Sequence, residues 1–380
     1  MSTKKETELV PKLRFPEFRE TEKWEVKPFQ KLFAIGSGRD YKHLSSGNFP
    51  VYGSGGYMLS VDDYLYDGES VCIGRKGTIN NPMFLAGKFW TVDTLFHTHS
   101  FQQCLPQFIF SVFQNIDWLK HNEAGGIPSL SKTIIEKIQV AVPRLPEQQK
   151  IANCMSSLDE LIAAHARKMA VLKIHKKALM QQLFPREGET QPRLRLPEFQ
   201  KAGDLVPVCV GQFAKVTTGA KDTQNKVEGG TYPFFVRSQN VERINSFSFD
   251  VEAVLTSGDG VGVGKNFHYI NGKFDFHQRV YCIFDFAQDV CGLFFYLYFS
   301  AHFGERVMRM SAKNSVDSVR MAMITEMPVM LPTLPEQQRI ADCLTSLDDL
   351  ISSATQEFEI LKMHKKGLMQ QLFPSMEVAV

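Results

Sequence analysis

Glycine-rich stretches that could bind phosphate are the first candidates for chemistry in this sequence. The stretch Gly258-Asp-Gly-Val-Gly-Val-Gly-Lys265 resembles a phosphate loop, in which backbone amides and a lysine hold phosphate oxygens. The spacing of that motif would need glycine in place of Asp259 and serine or threonine in place of Asn266, and no register gives G-x-G-x-x-G. The stretch therefore does not predict a nucleotide site.

Three further motifs suggest methyl transfer or metal binding, but each is incomplete. Phe33-Ala-Ile-Gly-Ser-Gly38 resembles an S-adenosylmethionine-binding strand and turn, yet its counterpart Ala214-Lys-Val-Thr-Thr-Gly219 lacks that character. Asn81-Pro-Met-Phe84 lacks the second proline of the N-P-P-F/Y tetrapeptide of adenine methyltransferases. His97 and His99 have no third ligand nearby in sequence. We therefore expect no catalytic residues, no metal site and no cofactor.

The composition is that of a globular protein without an unusual charge. The chain has 380 residues, a formal net charge of +2 and seven cysteines, none of them in C-x-x-C spacing. This length supports two or three domains with cores of their own. The cysteine pattern argues against a disulfide framework and a zinc site, and it is typical of a reducing cytoplasm. The polar amino terminus does not resemble a signal peptide, and no run of about 18 apolar residues occurs, so we expect a cytoplasmic protein.

One large internal repeat organises the chain. Residues 140–185 and 329–374 align without a gap at an offset of 189, and 27 of the 46 aligned positions are identical. The opening motif Lys12-Leu-Arg-Phe-Pro-Glu-Phe18 recurs as Arg193-Leu-Arg-Leu-Pro-Glu-Phe199 at an offset of 181. The whole half-chain is therefore duplicated, and the second half carries eight more residues between its opening motif and its repeated segment.

Each repeated segment is predicted to be one long helix. A proline suited to the first turn and an acidic residue begin it, and a Phe-Pro pair ends it. Apolar residues recur at alternating spacings of four and three over nearly five heptads, which is the pattern of a coiled-coil seam. Because one helix of about 38 residues (roughly 57 Å) cannot bury this stripe alone, we expect antiparallel pairing, with Met169 opposite Ala354 and His165 opposite Phe358. The predicted pairing residues are Ile151, Met155, Leu158, Ile162, Met169, Leu172 and Leu179 in the first helix, and Ile340, Leu344, Leu347, Ile351, Phe358, Leu361 and Leu368 in the second.

Between opening motif and long helix, each half has a β-rich globe of roughly 120–130 residues. Strand-like runs punctuated by Gly, Asn and Asp occur at 49–52, 70–73, 89–92 and 137–142, and again at 232–236, 253–256, 280–284 and 327–331. One helix is predicted late in each globe, near 106–115 and 292–302. The predicted fold class is α+β, with two β-rich α/β domains alternating with two long helices in an internal pseudo-two-fold repeat.

These features divide the chain into seven segments. They are a flexible tail over 1–11, a first globe over 12–143, a first long helix over 144–185, a linker over 186–192, a second globe over 193–332, a second long helix over 333–374 and a tail over 375–380. The helices are closely similar in sequence while the globes diverge, which favours a protein that recognises two different targets.

The layout resembles the specificity subunit of type I restriction–modification systems from Lys12 to Pro374. The resemblance rests on the alternation of globe and repeated helix, with L-P-E-Q-Q at each helix start and H-K-K-x-L-M-Q-Q-L-F-P at each helix end. It implies that each globe is a target recognition domain reading one half of a bipartite double-stranded DNA sequence, with the helices setting the distance between the halves. It also implies two docked adenine-N6 methyltransferase subunits, motor–nuclease subunits joining for cleavage, defence against foreign DNA, and no catalytic activity in the chain itself.

Loops that could enter a DNA groove carry the side-chain types that read base edges and phosphates. With the resemblance, this chemistry predicts DNA contacts from Gly53, Ser54, Tyr57, Arg75, Lys76, Thr78, Asn80, Ser129 and Lys132 in the first globe. In the second globe it predicts contacts from Arg237, Ser238, Gln239, Asn240, Lys265, Asn266, Gln278, Arg279, Ser311, Lys313 and Asn314. By position, 74–78 is expected to match 262–265, and 125–132 to match 311–315.

The outer faces of the long helices are candidates for docking partner subunits. Their charged residues are Arg167, Lys168, Lys173, Lys177, Glu357, Lys362 and Lys366. Two other functions stay open at this point: a methyltransferase or nuclease with degenerate motifs, and a scaffold whose globes bind ligands other than DNA. Binding of S-adenosylmethionine or unaided DNA cleavage would favour the enzyme, and the absence of salt-sensitive DNA binding would favour the scaffold.

Overall fold

The computed structural model describes residues 10–186, 188–310 and 318–374. The chain divides into two compact units, one of Met1–Arg167 with Thr355–Val380 and the other of Lys168–Ala354. Each unit thus holds one globe together with a part of each long helix. Of the predicted tails over 1–11 and 375–380, only positions 10 and 11 lie within the described residues.

The first globe is built from short strands and two helices. Its strands are β1 (Glu25–Pro28), β2 (Ala34–Ser37), β3 (Ser46–Gly53), β4 (Gly56–Val61), β5 (Tyr66–Asp67), β6 (Ser70–Gly74), β7 (Met83–Leu85), β8 (Lys88–Thr91), β9 (Leu95–His99) and β10 (Gln139–Val142). Its helices are α1 (Pro106–Asn115) and α2 (Lys132–Lys137), and the long helix α3 (Leu145–Leu183) follows. β1 pairs with β10, and the other strands form sheets in the orders β2-β9-β6-β7 and β4-β3-β8-β5.

The second globe gathers most of its strands into one sheet. Its strands are β11 (Val206–Cys209), β12 (Lys215–Thr218), β13 (Tyr232–Phe235), β14 (Glu242–Ile244), β15 (Phe249–Ser257), β16 (Phe267–Phe276), β17 (Val280–Phe284) and β18 (Pro328–Leu331). Its helices are α4 (Val210–Phe213), α5 (Gly292–Met310) and α6 (Met321–Thr325), and the long helix α7 (Leu334–Leu372) follows. β11 pairs with β18, and the others form a sheet in the order β12-β17-β15-β16-β13-β14.

The two globes repeat one strand topology although their sequences differ. In the first, β9 lies between β2 and β6; in the second, β17 lies between β12 and β15, and all four pairings are antiparallel. A parallel pairing follows in each, of β3 with β8 and of β13 with β16. The α+β fold class is therefore confirmed. The predicted helix at 106–115 is confirmed, α5 extends eight residues beyond its predicted end at 302, and Lys137 belongs to α2 instead of a strand.

In each unit, the segments of α3 and α7 pair antiparallel, as the seam predicts. The polar contacts across the seam are His165 Nδ1 to Glu357 at 3.4 Å and Asp159 to Lys365 at 2.5 Å in the first unit, and Lys176 to Asp348 at 2.6 Å in the second. Each lies within one residue of the predicted register. The predicted pairing residues are buried or half-buried, whereas most positions between them are exposed. Lys176 and Lys365 occupy equivalent seam positions, where a paired charge favours one register over its alternatives.

The repeated Leu-Phe-Pro helix ends belong to the globe cores. In the first unit, Leu372 and Phe373 join the cluster around Trp24, with Phe373 6.3 Å from the Trp24 ring. In the second unit, Leu183 and Phe184 join the core, with Phe184 5.4 Å from the Tyr298 ring. Each globe therefore buries apolar side chains from the start of one long helix and the end of the other. This gives the repeated sequence a second role besides the seam.

A buried ion pair fastens each opening motif to a helix start. Arg14 donates through Nε and Nη2 to the Glu147 carboxylate at 2.8 and 2.7 Å, and Arg195 makes the same two contacts with Glu336 at the same distances. Trp24 Nε1 adds a hydrogen bond of 3.2 Å to Glu147. The hydrogen bond to Glu147 outweighs burial and raises the pKa of Arg14. The sequence predicts these glutamates only as helix-dipole residues, because their arginine partners lie over a hundred positions away.

The glutamine that follows each of these glutamates satisfies buried backbone groups. Gln148 and Gln337 each donate through Nε2 to two carbonyls and accept one amide through Oε1. The partners are Pro143 O, Gln103 O and Leu105 N for Gln148, and Pro332 O, Asp289 O and Cys291 N for Gln337. Both therefore hold the chain just before α1 and α5 against a long helix. The Glu-Gln pair of each L-P-E-Q-Q motif therefore connects a globe to the start of a long helix by the same contacts in both units.

Glu147→Gln should destabilise the first unit by about 3 kcal/mol, because it leaves the buried Arg14 guanidinium without its counter-charge. The matched control is Glu17→Gln, which removes an exposed carboxylate 3.0 Å from Lys150 and should leave stability almost unchanged. Urea unfolding of the two variants measures the difference. Equal losses in both would contradict the role assigned to the buried pair.

Candidate nucleic-acid interface

Three predicted DNA-contact loops of the first globe lie side by side. Lys76 forms a backbone bridge with Ser129, and Gly77 N donates to Pro128 O at 2.9 Å. Gly77 has a φ of +90°, and a Cβ added there would come within 3.3 Å of Ser54 Oγ. The turn after β3, the loop after β6 and the segment before α2 therefore meet in one place. The structure thus brings together Ser54, Lys76 and Ser129, which are distant in sequence.

The side chains around this meeting point are basic and polar. Arg75 and Lys76 are exposed, and among the residues that the structure describes neither makes an ion pair. Tyr57, Thr78 and Asn80 are exposed as well, whereas Gly53 is buried. Lys132 begins α2 and lies 3.6 Å from Glu136. Two cations without counter-charges beside exposed hydroxyl and amide groups suit contact with phosphates and base edges.

Sequence reasoning missed two residues at this edge. Asn122 accepts from Ala124 N at 3.1 Å and from Ser129 N at 2.9 Å, so its side chain shapes the loop that contains Gly125 and Gly126. Arg39 is exposed, and its backbone N donates to Thr91 O at 2.8 Å. An asparagine shortly before a Gly-Gly pair is a usual turn signal and could have been recognised.

His97 on β9 does not add charge to the edge. His97 is buried, and its Nδ1 lies 3.3 Å from Thr91 Oγ1. Burial lowers the pKa of His97 to about 4, with smaller contributions from His99 and Arg39, so the ring is neutral at physiological pH. Within the described residues, no group of three or more His, Cys, Asp or Glu could hold a metal ion. His97 therefore packs as a core residue.

In the second globe, one carboxylate joins two predicted DNA-contact arginines. Arg237 Nη1 lies 2.7 Å from Asp259 Oδ1, and Arg279 Nη1 lies 2.6 Å from Asp259 Oδ2. The side chain of Asp259 is 14% exposed, whereas those of Arg237 and Arg279 are 44% and 62% exposed. The three residues come from the loops after β13, after β15 and before β17. We call this group the Arg237–Asp259–Arg279 cluster.

Backbone and side-chain contacts hold the loops of this cluster in place. Asn266 Nδ2 donates to Arg237 O at 3.1 Å and to Ser257 Oγ at 3.3 Å, so the half-buried Asn266 supports the loop from beneath. His277 Nδ1 accepts from Arg279 N at 3.0 Å. Burial lowers the pKa of His277, and this leaves its ring nitrogen able to accept. Asn266 is therefore better placed to hold the Arg237 loop than to contact DNA itself.

The remaining predicted residues of the second globe are distributed around the cluster. Ser238 O lies 3.1 Å from His268 Nε2, and Gln278 Nε2 donates to Asp222 Oδ2 at 3.1 Å. Gln239, Asn240 and Lys265 are exposed. The predicted contacts from Ser311, Lys313 and Asn314 lie outside the described residues.

The predicted match between the loops at 74–78 and 262–265 is wrong. Lys76 bridges Ser129 in the first globe, and Asp259 bridges Ser318 in the second, so the equivalent of 74–78 is 257–261. Hydrogen bonds agree, because Leu130 N donates to Arg75 O and Val319 N donates to Gly258 O. The eight additional residues of the second half are spread over several loops instead of one, so matching by sequence position slips by four to five residues.

The corrected alignment identifies the three positions of the first globe that are equivalent to the members of the cluster. The strand pairings of β3 with β8 and of β13 with β16 make Ser54 equivalent to Arg237. The backbone bridges make Lys76 equivalent to Asp259, and the hydrogen bonds of Arg75 N to Thr94 O and Gly258 N to Arg279 O make Thr94 equivalent to Arg279. The list of paired positions is Ser54 with Arg237, Lys76 with Asp259, and Thr94 with Arg279. The same three positions thus carry different chemistry in the two globes.

The long helices carry a second repeated surface. On α3, Val171 and Ile174 are 64% and 69% exposed; on α7, Ile360 and Met363 are 59% and 65% exposed. These pairs occupy identical positions in the repeat and lie three residues apart, on one helix face. We call them the α3 patch, in the second unit, and the α7 patch, in the first. Isolated exposed apolar residues are ordinary, but here an exposed apolar pair recurs at the equivalent positions of both copies.

Basic residues accompany both patches. Lys173 and Lys177 flank the α3 patch, and Lys362 and Lys366 take the same positions beside the α7 patch. All four are exposed. Of the predicted docking residues, Arg167 and Lys168 align with Gln356 and Glu357, so their charge is not repeated.

No helix in the described part of the chain is both long and apolar enough to cross a membrane. The features described so far are two globes with equivalent loop clusters of different chemistry and a duplicated helix pair with equivalent outer patches. Together they are the features expected of a protein that recognises two targets and presents one surface twice.

A family comparison identifies the class. The family model described as "Type I restriction modification DNA specificity domain" matches this chain twice, over residues 21–174 and 203–362. Each match covers one globe and most of its long helix, and together they cover well over half of the chain. The chain therefore belongs to the type I restriction–modification DNA specificity family.

Individual relatives agree with the family match. The chain is 26% identical over 341 residues to the type I restriction enzyme MjaVIII specificity subunit of Methanocaldococcus jannaschii, covering 81% of this chain and 77% of that protein. It is 29% identical over 170 residues to the EcoDI specificity subunit of Escherichia coli, covering 44% of this chain and 37% of that one. The crystal structure of the S subunit of a type I restriction–modification system from M. genitalium matches with a TM-score of 0.71 at 14% identity, over 97% of this chain and 100% of that one. That likeness shows the fold.

Proposed function

We propose that this chain is the sequence-specific DNA-recognition subunit of a type I restriction–modification complex. Each globe reads one half of a bipartite DNA target, the paired helices fix the spacing between the halves, and partner subunits supply methylation and cleavage. The observation that carries the proposal is the double match to the DNA specificity family, one match for each globe. The domain division that goes with it is 12–143 and 193–332 for the globes and 144–185 and 333–374 for the helices.

The two loop clusters support a different sequence for each half. At equivalent positions the first globe has Ser54, Lys76 and Thr94, while the second has the Arg237–Asp259–Arg279 cluster. Hydroxyl groups and a lysine offer different donors and acceptors to a base edge than two arginines do. The loops share their backbone pairing but differ in their side chains. We therefore expect the two half-sites of the DNA target to have different sequences.

The repeated helix surface supports two copies of one partner. The α3 and α7 patches each present an exposed apolar pair and two lysines at the same positions of the repeat. A duplicated surface binds identical partners twice, as symmetric assemblies do. We therefore assign the patches to two adenine-N6 methyltransferase subunits, and the motor–nuclease subunits join through the assembled complex.

The other two functions are not favoured. The relatives are named specificity subunits, which argues against a degenerate methyltransferase or nuclease. Basic and amide-rich loop clusters in both globes argue against a scaffold without DNA. Catalysis therefore belongs to the partner subunits.

DNA binding by the chain assembled with its methyltransferase subunit tests the proposal. We expect binding whose affinity falls by about 10³- to 10⁵-fold between 50 and 200 mM salt, as for proteins with several phosphate contacts. The chain alone should neither bind S-adenosylmethionine nor cut DNA. Salt-independent or absent DNA binding by the assembled complex would refute the DNA-recognition role, and cofactor binding by the isolated chain would favour an enzyme.

A further inference from the structure

The Arg237–Asp259–Arg279 cluster is built as a rigid double donor. Each guanidinium gives one Nη1 to the shared carboxylate. An arginine has five N–H donors in a fixed plane, so the Nε and Nη2 edge of each side chain can still meet a second acceptor pair. The carboxylate is the least exposed member and both arginines are more exposed, so the donors lie toward solvent and the acceptor beneath them.

The cluster is not needed to hold the loops together. The loops are already joined by the backbone bridge of Asp259 with Ser318 and by the hydrogen bonds of Gly258 N to Arg279 O and Asn266 Nδ2 to Arg237 O. Ion pairs with exposed arginines contribute little to stability. Burial alone would raise the pKa of Asp259, but the hydrogen bonds from Arg237 and Arg279 outweigh it and lower that pKa. Asp259 is therefore ionised and holds both guanidinium groups in fixed positions.

The chemistry of the exposed edges selects one DNA base. Guanine presents O6 and N7 side by side in the major groove, and an arginine that donates to both is the commonest specific contact to a base. Adenine, cytosine and thymine do not offer two adjacent acceptors there. Because both guanidinium groups share one carboxylate, they are close enough for neighbouring base pairs, which are stacked about 3.4 Å apart.

We propose that Arg237 and Arg279 each read a guanine, and that Asp259 is the positioning residue that orients both, so the half-site of the second globe contains two neighbouring G·C pairs. This inference rests on the proposed DNA-recognition function and adds the base that the second globe reads. The first globe has Ser54, Lys76 and Thr94 at these positions and reads its half-site by other contacts.

The test is the methylated motif produced by the chain together with its methyltransferase subunit in cells without other methylation. Arg237→Gln and Arg279→Gln replace the two-donor edge by an amide, which pairs with adenine instead of guanine, and each should lower the preference for guanine at one position by about 10- to 100-fold. Asp259→Asn should relax both positions at once. In all three variants the other half-site and the spacer should stay unchanged.

Arg243→Gln is the matched control. Arg243 lies on β14 of the same globe and donates through Nε to Gly230 O and through Nη2 to Thr231 O, so it serves the fold. Its replacement should leave the motif unchanged. Thermal unfolding of each complex shows whether a variant is folded.

The outcomes separate this inference from the function on which it rests. A wild-type motif without two neighbouring G·C pairs in the affected half, or an unchanged motif in folded Arg237→Gln, Arg279→Gln and Asp259→Asn complexes, overturns the guanine assignment alone. Equal loss of methylation at all sequences assigns the arginines to phosphate contacts and overturns it too. No split motif from the wild-type complex refutes the DNA-recognition function itself.

Discussion

Replacing Val171 and Ile174 by glutamate should remove one of the two proposed methyltransferase subunits from the assembled complex. Both side chains are strongly exposed on the folded chain, and the proposed function buries them beneath a partner. Two unpaired carboxylates inside an apolar interface cost far more than the contacts they replace. We expect at least a hundredfold weaker binding at that position, in line with the loss of two central interface residues. Native mass spectrometry of the purified complex counts the bound subunits.

The internal repeat supplies the matching variant. Ile360→Glu with Met363→Glu should remove the other subunit, and the four substitutions together should leave the chain without either. Val206→Glu is the control, because Val206 is 64% exposed, as Val171 is, but lies on β11 outside both patches. Complexes that keep two methyltransferase subunits after the four-fold substitution would show that the patches are not the docking surface.

Lengthening both long helices by one heptad should lengthen the spacer of the DNA target and leave both half-sites unchanged. Residues 161–167 duplicated after Arg167 and residues 348–354 duplicated after Ala354 continue the seam in each helix, because seven residues are nearly two helical turns. The added rise is about 10 Å, or about three base pairs. Methylated-motif sequencing of cells carrying the lengthened chain and its methyltransferase subunit gives the new spacer.

Two further variants serve as controls for the lengthened helices. Seven residues inserted in the linker at 186–192 lie outside the seam and should leave the spacer as it was. Lengthening only α3 disrupts its pairing with α7 and should abolish methylation. An unchanged spacer with both helices lengthened, or altered bases in either half-site, would contradict the helices as the spacing element.

The sequence predicts the long helices well because their information is local and periodic. The seam spacing gives the register, and Lys176 with Asp348 and Lys365 with Asp159 lie within one residue of it. A duplicated segment also doubles the signal, since both copies must satisfy the same pattern.

The joints between helix and globe could not be predicted from local patterns. Glu147 and Arg14 are 133 positions apart, and neither residue type signals its partner. The Leu-Phe-Pro ends are similar, because their apolar residues continue the seam in sequence but pack into a globe in space. In both cases tertiary contact gives repeated residues a role that helix periodicity does not reveal.

The recognition loops were predicted as groups but not as an arrangement. Sequence chemistry predicts Arg237 and Arg279 as separate contacts, and in the sequence Asp259 is only a residue that breaks a phosphate-loop motif. The role of Asp259 depends on the meeting of three loops, and the pairing of the strands determines where those loops meet. The mismatch of 74–78 with 262–265 has the same origin, because insertions in several loops cannot be located without the strands.

The most direct test of the DNA-recognition function is a methylation map of cells that hold this chain and its methyltransferase subunit, compared with cells that hold the methyltransferase subunit alone. We expect a split motif with N6-methyladenine in both halves that appears only when this chain is present. Cells that contain the assembled complex but show no split motif, or show the same motif without this chain, would contradict it.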